Sequence, residues 1–72
     1  MSPGRLPTLT PTDVERVLKA NGFVLKSSKG SHRKYVKGHR VVIVPFHARS
    51  GIPPGTLHNI IKASGLSRDD FS

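Results

Sequence analysis

The chain contains no cysteine, which excludes a disulfide framework and every thiolate metal site. It also lacks any long apolar run. The longest, Val41 to Val44, is far short of a membrane span. Met1 to Leu9 carries three breakers, Pro3, Gly4 and Pro7, and no hydrophobic stretch, so it does not read as a secretory signal and the expected compartment is the cytoplasm. Acids are scarce: Asp13, Glu15, Asp69 and Asp70 are the whole set. Residues 16–68 hold eleven Lys or Arg and no acid, and the formal net charge is +8. A field of one sign opposes folding through self-repulsion, so a polyanionic partner is its natural complement. RNA or DNA leads and an acidic protein follows. A membrane surface is weaker, because no long amphipathic helix gathers the cations on one face.

What is present suffices for one small fold. Leu, Ile, Val and Phe make up 20 of 72 residues, above the level of a disordered chain. The expected organisation is a flexible tail over residues 1–8 and a single domain over 9–72. Its core is too small to bury an organic cofactor, so no cofactor is expected and any chemistry takes place on an open surface.

Thr10-Pro11-Thr12-Asp13 reads as a helix start, with Thr10 as N-cap, Pro11 in the first turn and Asp13 closing a capping box. Val14, Val17 and Leu18 form an apolar stripe, and Asn21-Gly22 ends it, with Gly22 as the left-handed cap, giving a helix over about 11–21. Three strand candidates follow: Phe23–Ser27, Ser31–Lys37 and Arg40–Pro45, with turn chemistry at Ser28-Lys29-Gly30 and Gly38-His39. Alternation leaves open whether Val41 and Ile43 or Val42 and Val44 face the helices. A loop from Phe46 to Pro53 leads to a second helix that begins at Pro54, carries Leu57, Ile60 and Ile61 on one face and stops at Gly65. Ser67-Arg68-Asp69-Asp70 resembles a further N-cap, so Phe71 begins a third helix. The expected core is Val14, Val17, Leu18, Phe23, Leu25, Leu57, Ile60 and Ile61. A helix, a three-stranded meander and a helix make an α+β sandwich, with both helices on one face of an antiparallel sheet and the other face free for a ligand.

The chain offers no candidates for paired-carboxylate catalysis, since its four acids lie in the two end helices, and it has no phosphate-binding glycine loop and no nucleophile elbow. None of His32, His39, His47 and His58 forms an i, i+4 helical pair, so a metal site is not expected. What remains is Lys29-Gly30-Ser31-His32-Arg33-Lys34. The glycine lets backbone approach a phosphate, and the turn amides with the Ser31 hydroxyl suit its oxygens. A neutral imidazole at His32 suits removal of a ribose 2′-hydroxyl proton, with nearby cations stabilising the pentacoordinate phosphorus. From spacing alone, a polar RNA-binding strand face is the simpler account of these residues. Tyr35 reads as packing rather than a base-stacking ring, and His39 and His58 as solvated.

Gly30-Ser31-His32, Val41-Val42-Ile43-Val44-Pro45-Phe46-His47, Pro54-Gly55-Thr56-Leu57, Ile60-Ile61-Lys62 and Ala63-Ser64-Gly65-Leu66, in that order, resemble the HicA family of toxins from toxin–antitoxin systems. The resemblance covers roughly residues 5–71. It implies a fold like the double-stranded RNA-binding domain, in the order α-β-β-β-α. It also implies a metal-independent endoribonuclease that cleaves mRNA and is neutralised by a HicB-type antitoxin. The family's catalytic histidine falls on His32, with Gly30 and Ser31 as the turn of its motif. His47 matches a position often histidine in relatives, where a loop hydrogen bond and acid catalysis are both open. Lys29, Arg33 and Lys34 are candidate phosphate binders. Lys34 is preferred over Arg33, because in a regular strand it shares a face with His32. The proton donor to the leaving oxygen, His47 or a lysine, stays open.

The alternative is a non-catalytic RNA-binding module of the same fold. Such domains grip phosphates with lysines opening the second helix. Here that helix opens Pro53-Pro54-Gly55-Thr56-Leu57-His58, which argues against it. A basic surface that meets an acidic protein is compatible with the toxin reading, since an antitoxin has to cover the active surface.

Overall fold

A computed structural model describes residues 8–48 and 50–72. The tail expected over residues 1–8 lies, apart from Thr8, outside the described residues, as does Arg49 of the loop. Helix α1 spans Pro11–Ala20, strands β1, β2 and β3 span Val24–Lys29, His32–Lys37 and Arg40–Pro45, and helix α2 spans Pro54–Ser64. A short 3-10 turn, η1, follows at Arg68–Phe71. The sheet is antiparallel in the order β1-β2-β3. This is the α+β arrangement expected from the sequence.

Local chemistry explains the boundaries. Thr10 and Asp13 exchange hydrogen bonds, at 3.0 and 3.2 Å, in a complete capping box ahead of α1. Asn21 is the C-cap and donates its side-chain amide to the Val17 carbonyl at 2.8 Å; the left-handed Gly22 stands one residue further on than a cap. Ser67 and Asp70 repeat the capping-box exchange at η1, where the third helix amounts to four residues of 3-10 turn. β1 begins one residue later than expected and runs on through Ser28 and Lys29, so the first hairpin turn is Gly30-Ser31. The extra length comes from an irregularity between Leu25 and Ser27, where Lys26 has no direct partner and the register shifts by one.

One core holds the layers together. Val14 and Leu18 of α1, Leu57, Ile60 and Ile61 of α2, and Tyr35, Val42 and Val44 of the sheet form a single buried cluster with Phe23, Ile52, Leu9 and Phe71. Val42 and Val44 are therefore the pair facing the helices. Leu25 was an expected core residue and is instead 37% exposed. It lies on edge strand β1, beyond the reach of the helices. Val17 packs at the margin of the cluster rather than within it. Val24, Val41 and Ile43 line the opposite face and are exposed.

Candidate active site and nucleic-acid interface

Strand β2 pairs with β3 without interruption, from His32 opposite Pro45 to Lys37 opposite Arg40. Alternation along it is therefore strict. His32 and Lys34 point to the open face, whereas Arg33, Tyr35 and Lys37 point towards the helices. Lys29 stands directly opposite His32 across the first hairpin, and Ser27 opposite Lys34. Directly paired residues share a face, so Lys29, His32 and Lys34 form one exposed basic cluster beside the Gly30-Ser31 turn. Gly30 holds a left-handed conformation, φ 60°, and a side chain there would meet nothing within 4 Å. The backbone at the turn is thus open to a ligand.

His47 lies in the turn after β3. Its ring centroid is 5.5 Å from that of His32, with the planes at 74°. The Phe46 amide donates to the Ser31 carbonyl at 2.6 Å, which extends the β2–β3 ladder one step and ties the His47 turn to the motif turn. The two histidines expected to matter thus meet at one end of the sheet. His39 at the second hairpin and His58 on α2 are exposed and stand apart from them.

Arg33 is not in the basic cluster. Its Nη1 lies 3.2 Å from Glu15 Oε2, and its guanidinium carbon stands 4.0 Å over the centroid of the Phe46 ring. The Tyr35 hydroxyl donates to the same Glu15 oxygen, and Lys19 Nζ is 3.7 Å away. The Tyr35 hydrogen bond is the main cause holding the Glu15 carboxyl below its ordinary value, with Lys19 and Arg33 adding to it against partial burial. Burial, and then the neighbouring carboxylate, push the Tyr35 hydroxyl well above the usual tyrosine range. Sequence reading missed Glu15 and Phe46. For Glu15 the sequence held only half the signal: Arg33 and Tyr35 are two apart on a strand, hence on one face, but nothing local says which acid they meet.

At the far end of β2, a shallow groove of about 670 Å³ runs between the Gly38-His39 hairpin and the end of α2. Lys37 and Arg40 donate there to the carbonyls of Asn21 and Ala63, at 2.7 and 3.4 Å, and serve to cap the two helix ends.

The fold is thus a small α+β domain with one open, acid-free sheet face bearing a histidine and lysines. The family model described as the HicA toxin of bacterial toxin–antitoxin systems matches residues 11–66. The chain belongs to the HicA toxin family, and a toxin of this kind has an antitoxin as partner. No curated protein matches the chain. No helix among the described residues is long and apolar enough to cross a membrane.

Proposed function

We propose that this toxin is a metal-independent endoribonuclease acting on mRNA, with His32 as the general base, and that a HicB-type antitoxin neutralises it in the cytoplasm. The observation that carries the reading is the position of His32, exposed on the open face with Lys29 opposite and Lys34 two residues along. His32 takes the 2′-hydroxyl proton of the nucleotide before the scissile bond, and the oxygen attacks phosphorus. Lys29, Lys34 and the Gly30-Ser31 turn hold the phosphate oxygens as negative charge gathers there. The products are a 2′,3′-cyclic phosphate and a 5′-hydroxyl. Arg33 acts from behind this face rather than on the phosphate.

The exposed aliphatic residues Val24, Val41 and Ile43 share the face of His32. They offer RNA bases no aromatic ring to stack on, but they suit a protein. An antitoxin that covers them covers His32 as well.

The test is cleavage of a long single-stranded RNA in EDTA by wild type and by His32→Ala, with matching circular dichroism spectra. Cutting by the wild type alone supports the reading. Equal cutting by both removes His32 as the base. Binding without cutting by either makes the non-catalytic RNA-binding module the better account.

A further inference from the structure

We propose that His47 is the proton donor to the leaving 5′-oxygen, and that Arg33 positions it by spanning from Glu15 on α1 to the ring of Phe46. The inference rests on the nuclease reading above and supplies its missing half. Cyclising transesterification forms the 2′-O–P bond, breaks the P–O5′ bond and moves two protons. One leaves the 2′-hydroxyl for His32, and the other reaches the departing 5′-oxygen from a donor on the opposite side of phosphorus. The two oxygens occupy the apical positions of the transition state, so base and acid have to flank one phosphate. His47 is the histidine that stands beside His32, its ring centroid 5.5 Å away and turned edge to face. Both rings are exposed on the same end of the sheet, and because they stand too close to admit a phosphate between them, a phosphodiester that engages both lies across their outer edges. Lys29 and Lys34 remain to bind the phosphate oxygens.

A donor on a turn needs a support, since misplacement of about 1 Å costs as much as 100-fold in rate. His47 sits in a two-residue turn closed by the hydrogen bond from the Ala48 amide to the Pro45 carbonyl, 3.3 Å, and two further fixings run through its neighbour Phe46. One is the hydrogen bond from the Phe46 amide to the Ser31 carbonyl, 2.6 Å. The other is the Arg33 guanidinium over the Phe46 ring, 4.0 Å, itself anchored by Glu15 at 3.2 Å. Arg33 follows His32 in sequence, so one dipeptide carries the base on the outer face and the support for the acid on the inner face. Glu15, which also accepts from Tyr35, joins this support to the core.

The experiment uses an RNA that the wild type cleaves and the same RNA with sulfur replacing the bridging 5′-oxygen at the mapped site. A thiolate leaves without being protonated. His47→Ala is expected to lose about 100-fold or more on the oxygen substrate and to recover to within about tenfold of wild type on the sulfur substrate. His32→Ala is expected to fail on both. Arg33→Met and Glu15→Gln are expected to lower kcat about tenfold with KM unchanged, with partial rescue in Arg33→Lys. His47→Ala equally impaired on both substrates, or active on both, overturns the donor assignment. If Arg33→Met raises KM and Glu15→Gln improves RNA binding, Arg33 is a phosphate ligand and its positioning role falls. His32→Ala as active as wild type sinks the base assignment separately, because the sulfur effect at His47 is read on its own.

Discussion

The hydroxyl of Tyr35 donates its hydrogen bond to the carboxylate of Glu15 across the interface between β2 and α1. The chain's one tyrosine is fully buried, and its polar end meets an acid that also holds Arg33 and Lys19. This contact makes Glu15 a fold residue as well as the anchor of the proposed Arg33 support. Glu15→Ala strands the buried hydroxyl and is expected to cost about 1–3 kcal/mol, whereas Tyr35→Phe, which removes the donor, costs about 1 kcal/mol. The double variant should cost less than the sum of the two, and urea unfolding of all four proteins measures the difference. Simple additivity would mean that the two groups do not interact.

The same contact sets a pH dependence. The Glu15 carboxyl is held low chiefly by the Tyr35 hydrogen bond, and Asp13 is held low chiefly by the backbone amide of Thr10. A depressed carboxyl contributes stability that is present above its unfolded value, about 4–4.5, and is lost as pH falls through its folded value. Tyr35 is raised, so its contribution is complete below about pH 10 and is lost as pH climbs further towards its folded value. Stability should therefore fall on both sides of a broad neutral plateau. Glu15→Gln should lower the plateau and flatten the acid limb. Urea midpoints from pH 2 to 7 show this, and an acid limb equally steep in the variant would assign it to other groups.

The helix positions were legible because caps are local chemistry: Thr10 with Asp13, Pro54 in a first turn and Gly65 past the last one each act within four residues. The face of the site was also legible, since period-two alternation separates His32 and Lys34 from Arg33. What escaped was long-range. Leu25 has the composition of a core residue and lies on an edge strand, while Phe71 is buried by a turn too short to show a period. The choice of Val42 and Val44 over Val41 and Ile43 depends on which face the helices cover, and β-branched residues fill both faces of β3. The meeting of His32 with His47 follows from a hairpin register, Ser31 against Phe46, that spacing alone leaves unset. Glu15 was read only as one of four acids in the end segments, because a charge on a helix does not announce its partner on a strand 18 residues away.

Gly30 separates a turn requirement from a ligand requirement. Its left-handed backbone penalises a side chain by about 1–2 kcal/mol, but the space around it is empty. Gly30→Ala is expected to lower the melting temperature. Gly30→Asn should recover most of that loss, because asparagine tolerates the conformation. The Asn variant should nevertheless bind and cut RNA several-fold less well than wild type, since its side chain occupies the space a phosphate needs beside the turn amides. Full activity in a stable Asn variant would leave Gly30 with a conformational role only.

Val41 and Ile43 test what the open face is for. Both are nearly half exposed on the side away from the helices, 45% and 46%, so Val41→Ser and Ile43→Ser should change stability by no more than about 0.5 kcal/mol. Neither residue touches the His32–His47 end of the sheet in the manner of a phosphate ligand, and RNA cleavage should persist. Binding of the antitoxin should weaken, by about tenfold or more if the pair forms the buried centre of the contact. The basic rim of Lys29 and Lys34 adds a charge component, so inhibition by the antitoxin should weaken further as salt rises. Titrating the antitoxin against cleavage by wild type and by the double Ser variant, at two salt concentrations, reads both effects. Cleavage reduced but measurable, with half-inhibition at the wild-type antitoxin concentration, would give the aliphatic strip to the RNA instead, and the antitoxin would then have to reach His32 from the turn end of the sheet.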